Sequence, residues 1–298
     1  MNRKRVLCVV GFLLAVTVMG MVMDSVSVPP DLTLVSARAP AISAGSAILI
    51  DASDGTVLYE YNADKKMSPA STTKIMTAMV TLDICRELGA GLDSEILIPK
   101  EAVGVEGSSL YLKVGERICL EELLYGLMLQ SGNDAAAALA AALGGSTENF
   151  LERMNRRAEE LGCESTHFVN PHGLYDEEHY TTARELAVIA RAAMKDEDFR
   201  RIAAAQEWSS EDTGEAGRSF VNKNKTVFQY EGGNGIKIGY TKASGRTLVA
   251  SAARGDICLI AVVPNDGDWF ADAYALMDFG FEVLGETHDF EKEKEGAA

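Results

Sequence analysis

Residues 68–78 read SPASTTKIMTA and place a serine and a lysine three positions apart at the start of a predicted helix. Ser68 can cap a helix and Pro69 suits its first position, so the helix is predicted to begin at Pro69. Residues three apart lie on one face of a helix, which lets the amine of Lys74 reach the hydroxyl of Ser71.

Short strands are predicted on both sides of this helix, near the two ends of the chain. Upstream, 47–51 (AILID) and 56–61 (TVLYEY) are joined by Asp54-Gly55, a strong hairpin signal. The downstream strands are predicted at 235–242, 247–253 and 257–263. The helices between these two groups are predicted at 120–130, 135–143, 149–161 and 182–194, and a last helix at 269–284. Thr182 and Glu185 form the pattern of a capping box at the start of one of them.

This order of elements predicts an α/β fold. Its antiparallel sheet is built from both chain ends, and a helical lobe is inserted in the middle. The chain is expected to divide into an N-terminal segment at 1–37, a two-lobed domain at 38–285 and an acidic, disordered tail at 286–298.

The N-terminal segment predicts export from the cytoplasm. Three basic residues at 3–5 precede an apolar run at 6–23, whose length lies between that of a signal-peptide core and a short membrane span. Both a cleaved signal peptide and an uncleaved membrane anchor remain open. In either case the rest of the chain is expected to act outside the cytoplasm, secreted or held at the outer face of the membrane.

Composition and charge exclude several classes of function. The 298 residues carry a formal net charge of −16 and show no basic stripe, which argues against nucleic acid as a partner. The cysteines outside the apolar run are scattered without paired spacing, so buried free thiols are favoured over a disulfide framework. His167, His172 and His179 fit no helical zinc pattern and predict a structural loop beneath a cleft rather than a metal site.

Ser71 and Lys74 can together perform nucleophilic catalysis. A serine hydroxyl needs a base to remove its proton, and lysine can serve if burial and nearby positive charge lower its pKa. The free N–H groups of a helix N-terminus can stabilise an oxyanion. Alone, Ser-x-x-Lys carries little weight, because it occurs by chance roughly once in a chain of this length.

Two further motifs strengthen the case that Ser71 and Lys74 are catalytic. Ser131-Gly132-Asn133 falls between two predicted helices, where a second serine can relay a proton and an amide can hold substrate. Lys237-Ile238-Gly239 lies on a predicted strand, where Gly239 permits close backbone approach and Lys237 can attract a carboxylate.

With these motifs, the sequence resembles the D-alanyl-D-alanine carboxypeptidases, which are low-molecular-mass penicillin-binding proteins. The family's motifs are Ser-x-x-Lys, Ser-x-Asn and Lys-Thr-Gly, and this chain has STTK, SGN and KIG in that order. Longer blocks also match, among them GSSLYLKVGE, LMLQSGNDAA, FVNPHGLYDEEHYTTARELA and GIKIGYTKASGRTLVASA. The resemblance covers about residues 45–265 and implies the penicillin-binding serine peptidase fold.

The resemblance implies a reaction as well as a fold. The expected activity is release of the terminal D-alanine from peptidoglycan pentapeptides, with β-lactams as covalent inhibitors and without a metal or organic cofactor. It implies that Ser71 forms the acyl-enzyme, Lys74 acts as base and Ser131 shuttles the proton.

It also implies how the substrate is held. Asn133 would contact the substrate and Lys237 its terminal carboxylate. The backbone N–H groups of Ser71 and Tyr240 would form the oxyanion hole beside Gly239.

Ile238 departs from the family pattern, because isoleucine replaces the threonine of the third motif and has no hydroxyl to donate. A lost hydrogen bond to a charged group is worth about 1.5–3 kcal/mol, hence roughly tenfold to a hundredfold in rate. A non-catalytic peptidoglycan-binding protein is therefore the alternative from another class, and an endopeptidase and a β-lactamase are the enzyme alternatives. Many family members also carry a C-terminal β-domain and a membrane helix, so membrane association is expected here only through the N-terminal segment.

Overall fold

The computed structural model of the protein describes residues 39–210 and 217–296. The predicted N-terminal signal or anchor at 1–37 lies outside these residues. Within the two described ranges, no helix combines the length and the apolar content that crossing a bilayer requires.

A sheet of five antiparallel strands forms the centre of the described part of the chain, in the order β2-β1-β9-β8-β7. The strands are β1 (Ala47–Asp51), β2 (Val57–Tyr61), β3 (Glu95–Leu97), β4 (Arg117–Cys119), β5 (Glu207–Ser209), β6 (Ser219–Val221), β7 (Gly233–Thr241), β8 (Gly245–Arg254) and β9 (Ile257–Val263). Strands β3 and β4 form one separate hairpin, and β5 and β6 form another. Because β1 pairs with β9, the prediction of a sheet built from both chain ends is confirmed.

The helices lie between and after the strands. They are α1 (Lys74–Leu88), α2 (Leu120–Tyr125), α3 (Asn133–Leu143), α4 (Thr147–Glu160), α5 (Ala183–Ala193), α6 (Glu197–Ala204), α7 (Thr226–Gln229) and α8 (Trp269–Gly296). Two 3-10 turns, Ala70–Thr73 and Lys100–Ala102, and a π-helical turn, Gly126–Gln130, accompany them.

The two faces of the sheet bury different apolar clusters, as the alternation of side chains along a strand requires. On β9, Leu259 and Ala261 face α8, whereas Ile260 and Val262 face the inserted helices. Helix α1 is buried around most of its circumference and runs through this second layer. The sheet therefore lies between α8 on one side and the helical lobe on the other, with β7 as an edge strand.

The start of α1 differs from the prediction. Pro69 already has helical φ and ψ, and a 3-10 turn carries Ser71 before the α-helix begins at Lys74. Ser68 does not cap the helix. Its Oγ instead accepts a hydrogen bond from the Oγ of Ser244, 2.8 Å away in the turn between β7 and β8.

Two helical predictions need smaller corrections. The segment predicted as one helix at 120–130 is α2 followed by the π-helical turn. The capping box at Thr182 is half formed: Glu185 N donates to Thr182 Oγ1, but the Glu185 carboxylate accepts from Ser165 N and Thr166 Oγ1 instead of reaching back. A long-range partner has taken the place of the local one.

The C-terminal helix is longer than predicted. The sequence predicts a helix to 284 and a disordered tail at 286–298, whereas α8 runs to Gly296. Glutamate and lysine, which alternate in the sequence EKEKE, are both good helix formers.

Candidate active site

The turn that carries Ser71 has an unusual backbone. Ala70 adopts a φ of 49°, which non-glycine residues rarely do, and a Cβ at the neighbouring Gly173 would collide with the Ala70 carbonyl. The hydroxyls of Thr72 and Thr73 donate to Pro69 O and Ala70 O at 2.6 and 2.8 Å. These bonds hold Ala70, directly before the half-buried Ser71, in a conformation that local sequence alone does not favour.

His179 lies against the turn that carries Ser71 and stabilises it. Its Nδ1 accepts from Val169 N at 3.1 Å, so the ring proton lies on Nε2, which donates to Thr73 Oγ1 at 2.8 Å. Burial lowers the pKa of His179 to about 4 and keeps the ring neutral. The prediction of a structural histidine loop beneath the cleft agrees with these contacts.

Lys74 is fully buried, and its Nζ has three polar neighbours. These are Ser71 Oγ at 3.1 Å, Asn133 Oδ1 at 2.7 Å and the backbone oxygen of His172 at 2.6 Å. Burial, together with the charge of Lys237, lowers the pKa of Lys74 well below its ordinary value.

The neutral form of this amine fits its surroundings. A neutral amine has two N–H donors, and the oxygens of Asn133 and His172 can only accept. Once both donors are used, the lone pair remains for the Ser71 hydroxyl. The arrangement can therefore remove a proton from serine, which is what a serine nucleophile needs.

The segment Ser131–Asn133 brings the second motif to the same place. Ser131 ends the π-helical turn with a φ of 64° and is buried, and Asn133 begins α3. Besides accepting from Lys74, the Asn133 side chain donates through Nδ2 to Glu106 O at 2.5 Å. Asn133 is thus fixed at both ends of its amide.

Asp134, which the sequence does not single out as a site residue, anchors the loop at 108–112, which borders the site. Its buried carboxylate accepts from Ser109 Oγ at 2.6 Å and from the backbone N–H groups of Leu110 and Leu112, at 2.8 and 3.3 Å to Oδ2. An acid in the first turn of a helix is a local sequence signal, but its long-range partners are visible only in the structure.

Strand β7 forms the opposite wall. Lys237 is buried, and burial together with the charge of Lys223 lowers its pKa to about 7. Lys223, a second residue missed from the sequence, donates from Nζ to Gln130 O at 2.7 Å, directly before Ser131. Lys223 therefore adds positive charge at the site and contacts the turn that ends in Ser131.

Gly239 lies against the 3-10 turn that carries Ser71. A Cβ at this position would be 2.9 Å from Ser71 N and 3.1 Å from Pro69 O. Tyr240, the next residue, has an exposed side chain. The absence of a side chain at Gly239 is what lets the edge strand approach Ser71.

Gly239→Ala is expected to lower the rate of acylation of Ser71 at least about tenfold, because a shift of the strand or turn misplaces the reacting groups. The rate of covalent labelling by penicillin measures this. Gly45→Ala is the matched control, since a Cβ there meets nothing within 4 Å. Equal rates for parent and Gly239→Ala would contradict the account of this strand.

Ile238 lies on the face of β7 opposite Lys237 and Gly239. It pairs with Leu248, is half-buried, and packs against the apolar cluster beneath α8. The aromatic ring of Trp208 packs within the protein, where it stacks between Tyr125 and Phe220. Tyr111 and Phe228 are exposed.

The structure thus joins several of the predicted site residues directly. Ser71, Lys74 and Asn133 form one hydrogen-bonded group, and Gly239 contacts the turn of Ser71. Lys237 acts on this group through its charge.

Comparison with known proteins gives a consistent result. The family model described as D-alanyl-D-alanine carboxypeptidase matches residues 33–267. The carboxypeptidase DacF of Bacillus subtilis is 34% identical over 260 residues, which cover 86% of this chain and 66% of that protein. DacC of Escherichia coli is 35% identical over 260 residues, covering 83% of this chain and 63% of that protein.

Solved structures agree. The crystal structure of the Streptomyces K15 DD-transpeptidase superposes with a TM-score of 0.75 at 32% identity, covering 82% of this chain and 99% of that one. The chain spans just under two thirds of the length of the two curated relatives. From the extent of the family match and the identity to these relatives, the chain belongs to the D-alanyl-D-alanine carboxypeptidase family of serine peptidases.

Proposed function

We propose that this protein is a serine D-Ala-D-Ala carboxypeptidase that removes the terminal D-alanine from peptidoglycan pentapeptides and is acylated by β-lactams. The observation that carries the proposal is the buried amine of Lys74, which has two acceptors for its N–H groups and the Ser71 hydroxyl at 3.1 Å. The family membership supports the same substrate class.

In the proposed first step, Ser71 Oγ attacks the carbonyl carbon of the penultimate D-alanine while Lys74 takes the hydroxyl proton. The oxyanion accepts hydrogen bonds from the backbone N–H groups of Ser71 and Tyr240. When the peptide bond breaks, the proton passes by way of Ser131 to the departing amine, and D-alanine leaves. The product is an ester between the peptide and Ser71.

In the second step, water attacks the ester with Lys74 again as base, which regenerates the hydroxyl and releases the shortened peptide. Asn133 would hold the substrate amide and Lys237 its terminal carboxylate, as opposite charges attract. A β-lactam reacts through the first step, but its amine stays tethered after ring opening. The adduct is therefore expected to persist.

The proposed location follows from the substrate, since peptidoglycan lies outside the cytoplasmic membrane. Export through the segment 1–37, either cleaved or retained as a membrane anchor, belongs to this proposal. The acidic surface expected from a net charge of −16 gives nucleic acid no electrostatic attraction.

The direct test is release of D-alanine from a purified pentapeptide, measured for the protein and for Ser71→Ala. Release by the parent and none by the variant is the expected result. A folded parent that binds peptidoglycan without releasing D-alanine would instead support the non-catalytic alternative, which the family comparison does not favour.

Ile238→Thr is expected to raise the rate of acylation by penicillin about tenfold to a hundredfold. The family's third motif has threonine at this position, and its hydroxyl could donate to the substrate carboxylate. Because Ile238 lies on the face of β7 opposite Lys237, the gain requires the hydroxyl to reach that carboxylate around the free edge of the strand. Ile238→Val is the control, because it removes a methylene without adding a donor. Equal acceleration in both variants would show that the effect comes from the smaller side chain rather than from the hydroxyl.

A further inference from the structure

We infer that Tyr111 and the cavity beside it bind the part of the stem peptide that precedes the two terminal D-alanines. This inference rests on the proposed function and goes beyond the residues that carry the reaction. Tyr111 is 84% exposed and has a φ of 60°. Both features are uncommon for a large aromatic residue in a folded domain.

Neither feature stabilises the isolated protein. The left-handed conformation is unfavourable for a residue with a Cβ, and an exposed ring contributes none of the apolar burial that stabilises a fold. Strained residues of this kind persist where surrounding contacts hold them, and they concentrate at ligand-binding sites.

The loop that carries the ring is held firmly. The neighbours Leu110 and Leu112 are buried, and their N–H groups both donate to Asp134. The N–H of Tyr111 donates to Ser109 Oγ at 2.9 Å, and that hydroxyl donates to Asp134 in turn. The ring is thus held in solvent by an ordered backbone, which lowers the conformational entropy that the loop loses when a ligand stacks against the ring.

The loop borders the candidate active site. Asn133 N donates to Ser108 O at 2.7 Å, which ties the loop to the turn that contains Ser131. A cavity of about 230 Å³ lies between the loop, the end of the π-helical turn and β6. Its lining residues are Ser109, Leu110, Tyr111, Gln130, Arg218, Ser219 and Phe220.

The chemistry of the cavity suits a peptide. Tyr111 offers an exposed aromatic ring, and the largely buried Leu110 and Phe220 add small apolar patches to the lining. Gln130 and Ser219 offer polar groups for a peptide backbone. An extended pentapeptide measures about 17 Å, so its first residues must lie beyond the group formed by Ser71, Lys74 and Asn133. A cavity next to Ser131 gives them a binding surface.

The test compares two substrates in parent and Tyr111→Ala: a full pentapeptide, and a short substrate that has only an acetyl group before its D-Ala-D-Ala end. For the pentapeptide, KM is expected to rise about tenfold with little change in kcat, because binding surface is lost rather than reacting groups. The ratio of the kcat/KM values, pentapeptide over short substrate, should fall by the same factor. Tyr111→Phe should keep the parental ratio, since the ring remains.

Tyr61→Ala is the matched control. Tyr61 is exposed on β2, the edge strand at the far end of the sheet from β7, and its removal should leave the ratio unchanged. An unchanged ratio in Tyr111→Ala, or an equal loss on both substrates, would overturn the inference while parental turnover still upheld the proposed function. A folded parent that releases D-alanine from neither substrate would instead overturn the proposed function and the inference with it.

Discussion

Lys74→Met is expected to lower the rate constant for acylation of Ser71 by penicillin by a factor of about 10² to 10⁴, the usual contribution of a general base. Methionine approximately fills the volume of the lysine chain but has no lone pair placed to take the hydroxyl proton. In the structure, the amine is 3.1 Å from Ser71 Oγ, and its other neighbours, Asn133 and His172, are acceptors. The rate of adduct formation, followed by mass spectrometry, measures the effect.

The same account fixes the direction of the pH dependence. Burial lowers the pKa of Lys74 well below its ordinary value, so the amine is neutral at pH values above this lowered pKa and protonated below it. Only the neutral form can accept the proton of Ser71. The acylation rate of the parent is therefore expected to fall as pH falls through the pKa of Lys74. The slow residual rate of Lys74→Met should not show this decrease.

Two controls make the result specific to the base. Lys65→Met removes an exposed lysine of the same domain and should leave the rate at the parental value. Thermal unfolding reports whether Lys74→Met is folded, which matters because two buried acceptors lose a donor. A folded Lys74→Met that acylates at the parental rate would show that another group is the base.

Asp134→Ala is expected to lower the free energy of unfolding by about 3 kcal/mol or more. The buried carboxylate accepts from the backbone N–H groups of Leu110, Leu112 and Ala135 and from the Ser109 hydroxyl. Each buried donor that loses its acceptor costs about 1 to 3 kcal/mol. Denaturant unfolding of parent and variant gives the difference.

The loop in front of the site should loosen together with the loss of stability. Asp134→Asn retains one acceptor oxygen and is expected to be intermediate. Asp256→Ala removes an exposed acid in the turn between β8 and β9 and should change stability by less than about 0.5 kcal/mol. An Asp134→Ala variant as stable as the parent would show that these hydrogen bonds are readily replaced by water.

The sequence predicts the elements that depend on local pattern. Strands β7, β8 and β9 show short apolar runs bounded by turn residues, and the hairpin of β1 and β2 has its Asp54-Gly55 signal. Ser71 and Lys74 share a turn whose spacing is fixed by backbone geometry, so their contact also follows from sequence. The proximity of Asn133 to Lys74 follows only from the family resemblance, since 59 residues separate them.

What the sequence does not predict depends on contacts between distant segments. The left-handed conformation of Ala70 is held by one hydrogen bond from Thr73 Oγ1 and by the close approach of Gly173. Lys223 reaches Gln130 from a loop 93 residues away. No local preference encodes such contacts, and a helix cap predicted from Ser68 is displaced by a hydroxyl partner in another turn.

The most direct test of the central claim is intact-protein mass spectrometry after incubation with penicillin, with parent and Ser71→Ala in parallel. The account predicts one added penicillin mass on the parent and none on the variant, both being folded. No adduct on folded parent at high drug concentration and long times, or an adduct that persists on Ser71→Ala, would contradict Ser71 as the acylated nucleophile.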